Sequence, residues 1–221
     1  MLKAILFDLD GTLSHTNPFH YQAWKDVLQE QGITINLEIY EKTISGKLNS
    51  QIVRYFFPDF SLEEAKKLAD YKEALYREIA LTIQPVPGLK EFLTWIKEQK
   101  IKTGVVTNAP SENAKFMLDI LGVSNSFDVV VLAEDVRKGK PDPEPYQVCL
   151  QQLGLEAKNA IAFEDSPPGI RSAVAAGIET LGITTTHHAE DLETAGATMS
   201  IDNFHHPKMW QKVQNLLPLA Q

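Results

Sequence analysis

One cysteine, Cys149, stands among 221 residues, which excludes an intrachain disulfide and any cysteine-rich metal site. Its setting, Tyr146-Gln147-Val148-Cys149-Leu150, reads as a helix interior, so a buried inert thiol is expected rather than a nucleophile. Positive charge is also scarce: 21 Lys and Arg face 29 Asp and Glu, for a net charge of -8. That balance argues against a general nucleic-acid binder or an anionic-membrane binder, both of which need a basic face. A small anionic substrate stays open, because a metal and one lysine can dominate the field inside a cleft. No apolar run reaches membrane-spanning length. The chain opens directly on a core strand with no room for a cleaved leader, so a cytoplasmic protein is expected. Internal repeats and low-complexity tracts are missing too.

What is present is an alternation of helix and strand, interrupted once. Ala4 to Phe7 is an apolar run of the kind that a strand buried on both faces requires. Pro18 starts a helix that runs to about Gln31 and stops at Gly32. Nothing from Asn36 to Ile83 resembles a strand; helical stretches are expected near Leu37 to Ile44, Asn49 to Phe57 and Leu62 to Leu81, the last opened by Ser61 with Glu63 and Glu64 in its first turn. After Pro85-Val86-Pro87-Gly88, strands are expected at Lys102 to Val106, Phe127 to Ala133, Ala160 to Phe163, Ile178 to Ile183 and Thr198 to Ile201, with helices between them. This order predicts an α/β fold: a Rossmann-like, mostly parallel sheet with helices on both faces, formed by residues 1–15 and 85–221, with residues 16–84 as an inserted helical domain.

In open parallel sheets ligands bind beyond the carboxyl ends of the strands. Three strands here finish in polar residues: Asp8 and Asp10 after the first, Thr107 and Asn108 after the second, Glu164 and Asp165 after the fourth. Two carboxylates as close as Asp8 and Asp10 repel unless a cation shares them, and Mg2+ is typically held by one or two carboxylates with phosphate and water. Asp165 can complete such a site if the strands are neighbours. Lys140, in Lys138-Gly139-Lys140-Pro141-Asp142-Pro143, offers the positive charge a phosphate needs. Each piece has a plainer reading alone: Thr-Asn as a turn, Ser166-Pro167 as a helix start, Lys140 as a surface lysine. Their joint occurrence at strand ends favours a site.

This set of segments resembles the haloacid-dehalogenase-like hydrolase superfamily, in its branch of small-molecule phosphatases and beta-phosphoglucomutase-like proteins. Asp8-Leu9-Asp10-Gly11-Thr12 is similar to the first motif of that family, Thr107-Asn108 to the second, Lys140 with Pro141-Asp142-Pro143 to the third, and Glu164-Asp165-Ser166 to the fourth. The resemblance implies Asp8 as a nucleophile forming an aspartyl-phosphate and Asp10 as general acid and base. It implies Mg2+ held by Asp8, the Asp10 carbonyl and Asp165, with Glu164 beside it, and Thr107, Asn108 and Lys140 around the phosphoryl group. It further implies that residues 16–84 form a cap, with His20 helping to couple cap closure to substrate binding. Two departures bear on the reaction. Asn49 stands where the mutases carry an arginine that grips a second phosphate, and Leu13-Ser14-His15 lacks the acidic residue common in the family. The expectation is a Mg2+-dependent phosphatase, monomeric, acting on a small phosphorylated metabolite; a phosphosugar mutase is the alternative.

Overall fold

The computed structural model describes residues 1–217. Its centre is a sheet of six strands: β1 (Ala4–Phe7), β2 (Lys102–Val106), β3 (Val129–Val131), β4 (Ala160–Glu164), β5 (Glu179–Ile183) and β6 (Met199–Ile201). They lie in the order β3-β2-β1-β4-β5-β6, and every pairing is parallel. Helices α1 (Asn17–Glu30), α2 (Leu37–Thr43), α3 (Asn49–Phe56) and α4 (Leu62–Ile79) fall between β1 and β2. The remaining helices alternate with strands: α5 (Leu89–Glu98), α6 (Ser111–Leu121), α7 (Glu144–Leu153), α8 (Pro167–Ala175), α9 (Ala189–Thr194) and α10 (Pro207–Asn215).

Two units make up the chain: Met1–His15 with everything from Gln84 onward, and Thr16–Ile83. In the first, β1 is the central strand. It pairs with β2 through Phe7 and Val105 and with β4 through Phe7 and Phe163, so all four of its residues are buried. Alternation sends its side chains to opposite faces. Phe7 enters a cluster with Phe92, Phe127, Phe163 and Phe204, at ring-centroid distances of 5.4 to 6.2 Å. Ala4 and Leu6 pack with Val106, Val131, Tyr146 and Cys149 on the other face. Cys149 is buried within α7, and burial pushes its thiol up to about 12, as expected of an inert core cysteine. The strand order reverses on either side of β1, and the crevice beyond the ends of β1, β2 and β4 is where such sheets bind ligands.

Most elements lie within a residue or two of the sequence expectation, and β3 is the clearest exception, three residues long where Phe127 to Ala133 is predicted. Its ladder stops because the Asp135 carboxylate takes the Leu132 amide hydrogen at 2.8 Å and a 3-10 turn, Ala133–Asp135, follows.

The second unit is wholly helical and has its own core of Trp24, Val27, Leu28, Ile35, Tyr40, Ile44, Ile52 and Val53. A reciprocal cap begins α4: the Ser61 hydroxyl accepts from the Glu64 amide, and the Glu64 carboxylate accepts from the Ser61 amide. The last turn expected of this helix is instead a 3-10 turn, Ala80–Thr82.

Candidate active site

Asp8 directly continues β1: its amide donates to the Phe163 carbonyl of β4 at 3.0 Å. Its Oδ1 accepts from Lys140 Nζ at 2.6 Å. The same ammonium donates to Glu164 Oε1 at 2.6 Å and to the Val106 carbonyl at 2.7 Å, so its three hydrogens have three acceptors, one from each of the ends of β1, β4 and β2. The lysine reaches this position because its loop is anchored on both flanks. Asn108 Oδ1 accepts from the Lys140 amide at 3.1 Å and Nδ2 approaches its carbonyl at 3.4 Å. Asp142 caps α7 through the Glu144 amide, while its carbonyl accepts from the Ser172 hydroxyl.

Asp8, Glu164 and Asp165 are all buried, and oxygens of the three carboxylates lie within 4.8 Å of one another. Asp8 Oδ2 and Glu164 Oε2 are buried without a hydrogen-bond partner. Three carboxylates against one ammonium, with two orphaned oxygens, form a donor set that suits a hard divalent cation. Burial, reinforced by Glu164 and Asp10 and opposed by Lys140, pushes the Asp8 carboxyl up to about 7. Burial, with Asp8 and Glu164 adding to it, also pushes Asp165 well above the usual carboxylate range. Burial alone would lower Lys140, but Asp8 and Glu164 outweigh it and raise the ammonium above its ordinary value. Space for the carboxylates comes from two glycines: a Cβ on Gly11, whose φ is +89°, would strike the Asp165 carboxylate, and one on Gly169 would strike that of Glu164.

The structure thus brings Asp8, Lys140, Glu164 and Asp165 together. Thr107 is buried at the end of β2, where its hydroxyl accepts from the Ala109 amide at 2.9 Å. Asn108 uses its side chain on the Lys140 main chain, so it sets the lysine loop. The Asp10 carboxylate is not among the clustered oxygens; its side chain is half-buried, and its backbone enters a turn closed by the Gly11 amide on the Ser14 carbonyl at 2.8 Å. His20 belongs to the helical unit, where its Nδ1 lies 2.9 Å from Lys72 Nζ and its ring stacks on Tyr76 at 4.0 Å. Lys72, itself buried, pairs with Glu73 at 3.0 Å, and the Asn49 amide donates to the same carboxylate oxygen at 2.5 Å. Burial would raise Glu73, but Lys72, His20 and Asn49 together hold it below its ordinary value.

Several of these residues escape a reading of the sequence. Tyr146 donates its phenol to Glu164 Oε1 at 2.7 Å, yet it lies on the buried face of a helix, where a core aromatic is the ordinary reading. Lys72 interrupts the buried stripe of α4 one turn before Tyr76, a signal the pattern did carry. Thr184-Thr185-Thr186-His187 ends β5, and the strand-end rule that selects Asp8, Thr107 and Glu164 applies equally to it. Thr185 donates to the Gly11 carbonyl and Thr186 to the Asp165 carboxylate.

Comparison with known proteins gives this geometry its lineage. The family model "Haloacid dehalogenase-like hydrolase" matches residues 5–183. Validoxylamine A 7'-phosphate phosphatase of Streptomyces hygroscopicus subsp. limoneus is 34% identical, over 88% of this chain and 92% of that protein. Beta-phosphoglucomutase of Bacillus subtilis is 27% identical, over 82% of this chain and 83% of that protein. A crystal structure of a haloacid dehalogenase hydrolase, family IA, variant 3, from Entamoeba histolytica superposes with a TM-score of 0.89 at 27% identity, covering 97% of this chain and 99% of that one. Four separate segments converging on one acidic crevice at the carboxyl edge of this sheet, together with a family match spanning most of the chain, place the protein in the haloacid dehalogenase-like hydrolase family.

Proposed function

We propose that this phosphatase hydrolyses a small phosphorylated metabolite, a sugar phosphate or a phosphoglycolate-like compound, with Asp8 as nucleophile and Mg2+ as cofactor. The observation that carries the proposal is the state of Asp8: one oxygen tied to Lys140, the other buried and without a hydrogen-bond partner, just past the end of β1. A carboxylate held by an ammonium and largely stripped of water is what attack on phosphorus asks of a weak nucleophile.

In this reading a carboxylate oxygen of Asp8 attacks the phosphorus, the ester P–O bond breaks, and the alkoxide leaves with a proton from Asp10. An aspartyl-phosphate remains on Asp8. Asp10 then takes a proton from water, whose oxygen attacks the phosphorus and returns the free Asp8 carboxylate and inorganic phosphate. General acid and base assistance of this kind contributes about 10²–10⁴-fold. Asp8, Asp165 and the Asp10 carbonyl would hold Mg2+, with Glu164 alongside; when bound it offsets the negative charge that the phosphoryl group and carboxylates bring together. Lys140, paired with Asp8 and Glu164, adds positive charge to the same cluster, and Thr107 with Asn108 would border the phosphoryl group.

Hydrolysis is favoured over the mutase alternative by position 49. A mutase must hold a second phosphate, and Asn49 brings no cation: it donates to the Glu73 carboxylate. Lys47, the other candidate for that task, is exposed and donates to the Lys42 carbonyl at 3.3 Å. The test is a screen of phosphorylated metabolites for phosphate release, with and without Mg2+, beside Asp8→Asn. Release that requires Mg2+ and vanishes in the variant is expected. Conversion of beta-glucose 1-phosphate to glucose 6-phosphate with little free phosphate would establish the mutase instead.

A further inference from the structure

We propose that Thr186, oriented by His187, is a positioning residue that fixes the Asp165 carboxylate for Mg2+; the inference rests on the cation site proposed above. Hydrogen-bond accounting leads to it. Thr186 Oγ1 has one hydrogen and three polar neighbours: Asp165 Oδ2, the Asp165 carbonyl at 2.9 Å and His187 Nδ1 at 2.9 Å. His187 Nδ1 is also 3.1 Å from that carbonyl. With Asp165 ionised, the form in which it could hold a cation, one assignment gives every atom a role. The imidazole carries its hydrogen on Nδ1 and shares it between Thr186 Oγ1 and the Asp165 carbonyl, and the hydroxyl, accepting from the ring, turns its own hydrogen onto Asp165 Oδ2. The carboxylate is then held at one oxygen, and the direction of the other is set.

The need for such a device follows from where Asp165 stands. It shares the crevice with two other carboxylates that repel it, so a freely turning side chain would swing away from them in the absence of a cation. Gly11 passes so close to it that a methyl group would not fit, and the Gly11 carbonyl is itself held by Thr185, the preceding residue of the same loop. One three-residue stretch at the end of β5 thus ties down the first loop and the acidic residue opposite it. Outer hydrogen bonds of this kind, when removed, typically cost about 10–100-fold in metal affinity.

Thr186→Val keeps the shape of the side chain and removes the hydrogen, Thr186→Ser restores the hydroxyl, and Thr184→Val serves as a control on the same loop, since Thr184 donates to the Ile201 carbonyl of β6 and does not touch Asp165. The measurement is Mg2+ affinity of the metal-free proteins by calorimetric titration and by the Mg2+-dependent rise in melting temperature. Thr186→Val should bind Mg2+ about 10–100-fold more weakly, and the loss in phosphate release should shrink at saturating Mg2+. Thr186→Ser should return affinity to within a few-fold of the parent, and Thr184→Val should leave it unchanged. A Thr186→Val protein that binds Mg2+ within twofold of the parent overturns the inference while leaving the proposed function intact. A parent protein that binds no Mg2+ overturns both.

Discussion

Three carboxylates with oxygens within 4.8 Å of one another and a single ammonium form a cluster that repels itself. The folded values of Asp8 and Asp165 lie above the roughly 3.9 of an unfolded aspartate, so the folded protein holds these protons more tightly than the unfolded chain. Their contribution to stability is therefore complete below about pH 4 and is lost as pH rises through the folded values, up to about 7 for Asp8. Asp165→Asn removes one of the charges. Without Mg2+, the variant should gain stability over the parent as pH rises above about 5, read as the difference in urea midpoint, and it should no longer be stabilised by Mg2+. A difference that does not change with pH would contradict the electrostatic account. Tyr146 acts on the same cluster from below. Burial first and Glu164 second raise its phenol well above the ordinary value, so it stays a donor. Tyr146→Phe leaves Glu164 with one fewer hydrogen bond, and an unfolding free energy lower by roughly 1.5–3 kcal/mol is expected from equilibrium denaturation.

Within the elements, spacing and composition foretold nearly all of the sheet and helices, because apolar runs, proline starts and glycine stops are local signals. The polar ends of β1, β2 and β4 were legible for the same reason, and their convergence on Asp8, Lys140, Glu164 and Asp165 followed once β1 lay between the other two. Thr186 lies past the polar end of β5, where the same strand-end rule applies, whereas Tyr146 carries no such signal, since its role arises from what stands across the crevice. Nor did the sequence show that Asn108 faces the main chain of Lys140. The truncation of β3 depends on a carboxylate, Asp135, folding back on its own turn. Packing of α7 against β2 offers a sharp test of the core. Gly104 faces Cys149 so closely that a Cβ would stand 2.5 Å from Sγ and 3.0 Å from Leu6 Cδ2. Gly104→Ala should therefore destabilise the protein by about 1–3 kcal/mol in thermal or urea unfolding, although alanine favours the strand conformation itself. An unchanged midpoint would mean that α7 yields freely.

Across the molecule, the division into a sheet unit and a helical unit has a defined seam. On the sheet unit the two chain passages run side by side: the Ser14 hydroxyl donates to the Gln84 carbonyl at 2.6 Å, and the Val86 amide donates to the Leu13 carbonyl at 2.9 Å. We expect a chain in which a short glycine-serine linker replaces residues 16–83 to melt cooperatively and to keep its Mg2+-dependent stabilisation, because neither the sheet nor the acidic crevice draws its framework from those residues. If the helical unit serves as the cap, that chain should still hydrolyse a simple aryl phosphate while losing discrimination among sugar phosphates, as a comparison of kcat/KM values would show. Loss of the cooperative melt would mean that the helices are required for the sheet to form. The zippered passages have a broader consequence. Because this pairing already brings the two ends together, the loop-closure cost of whatever lies between them grows only slowly with its length.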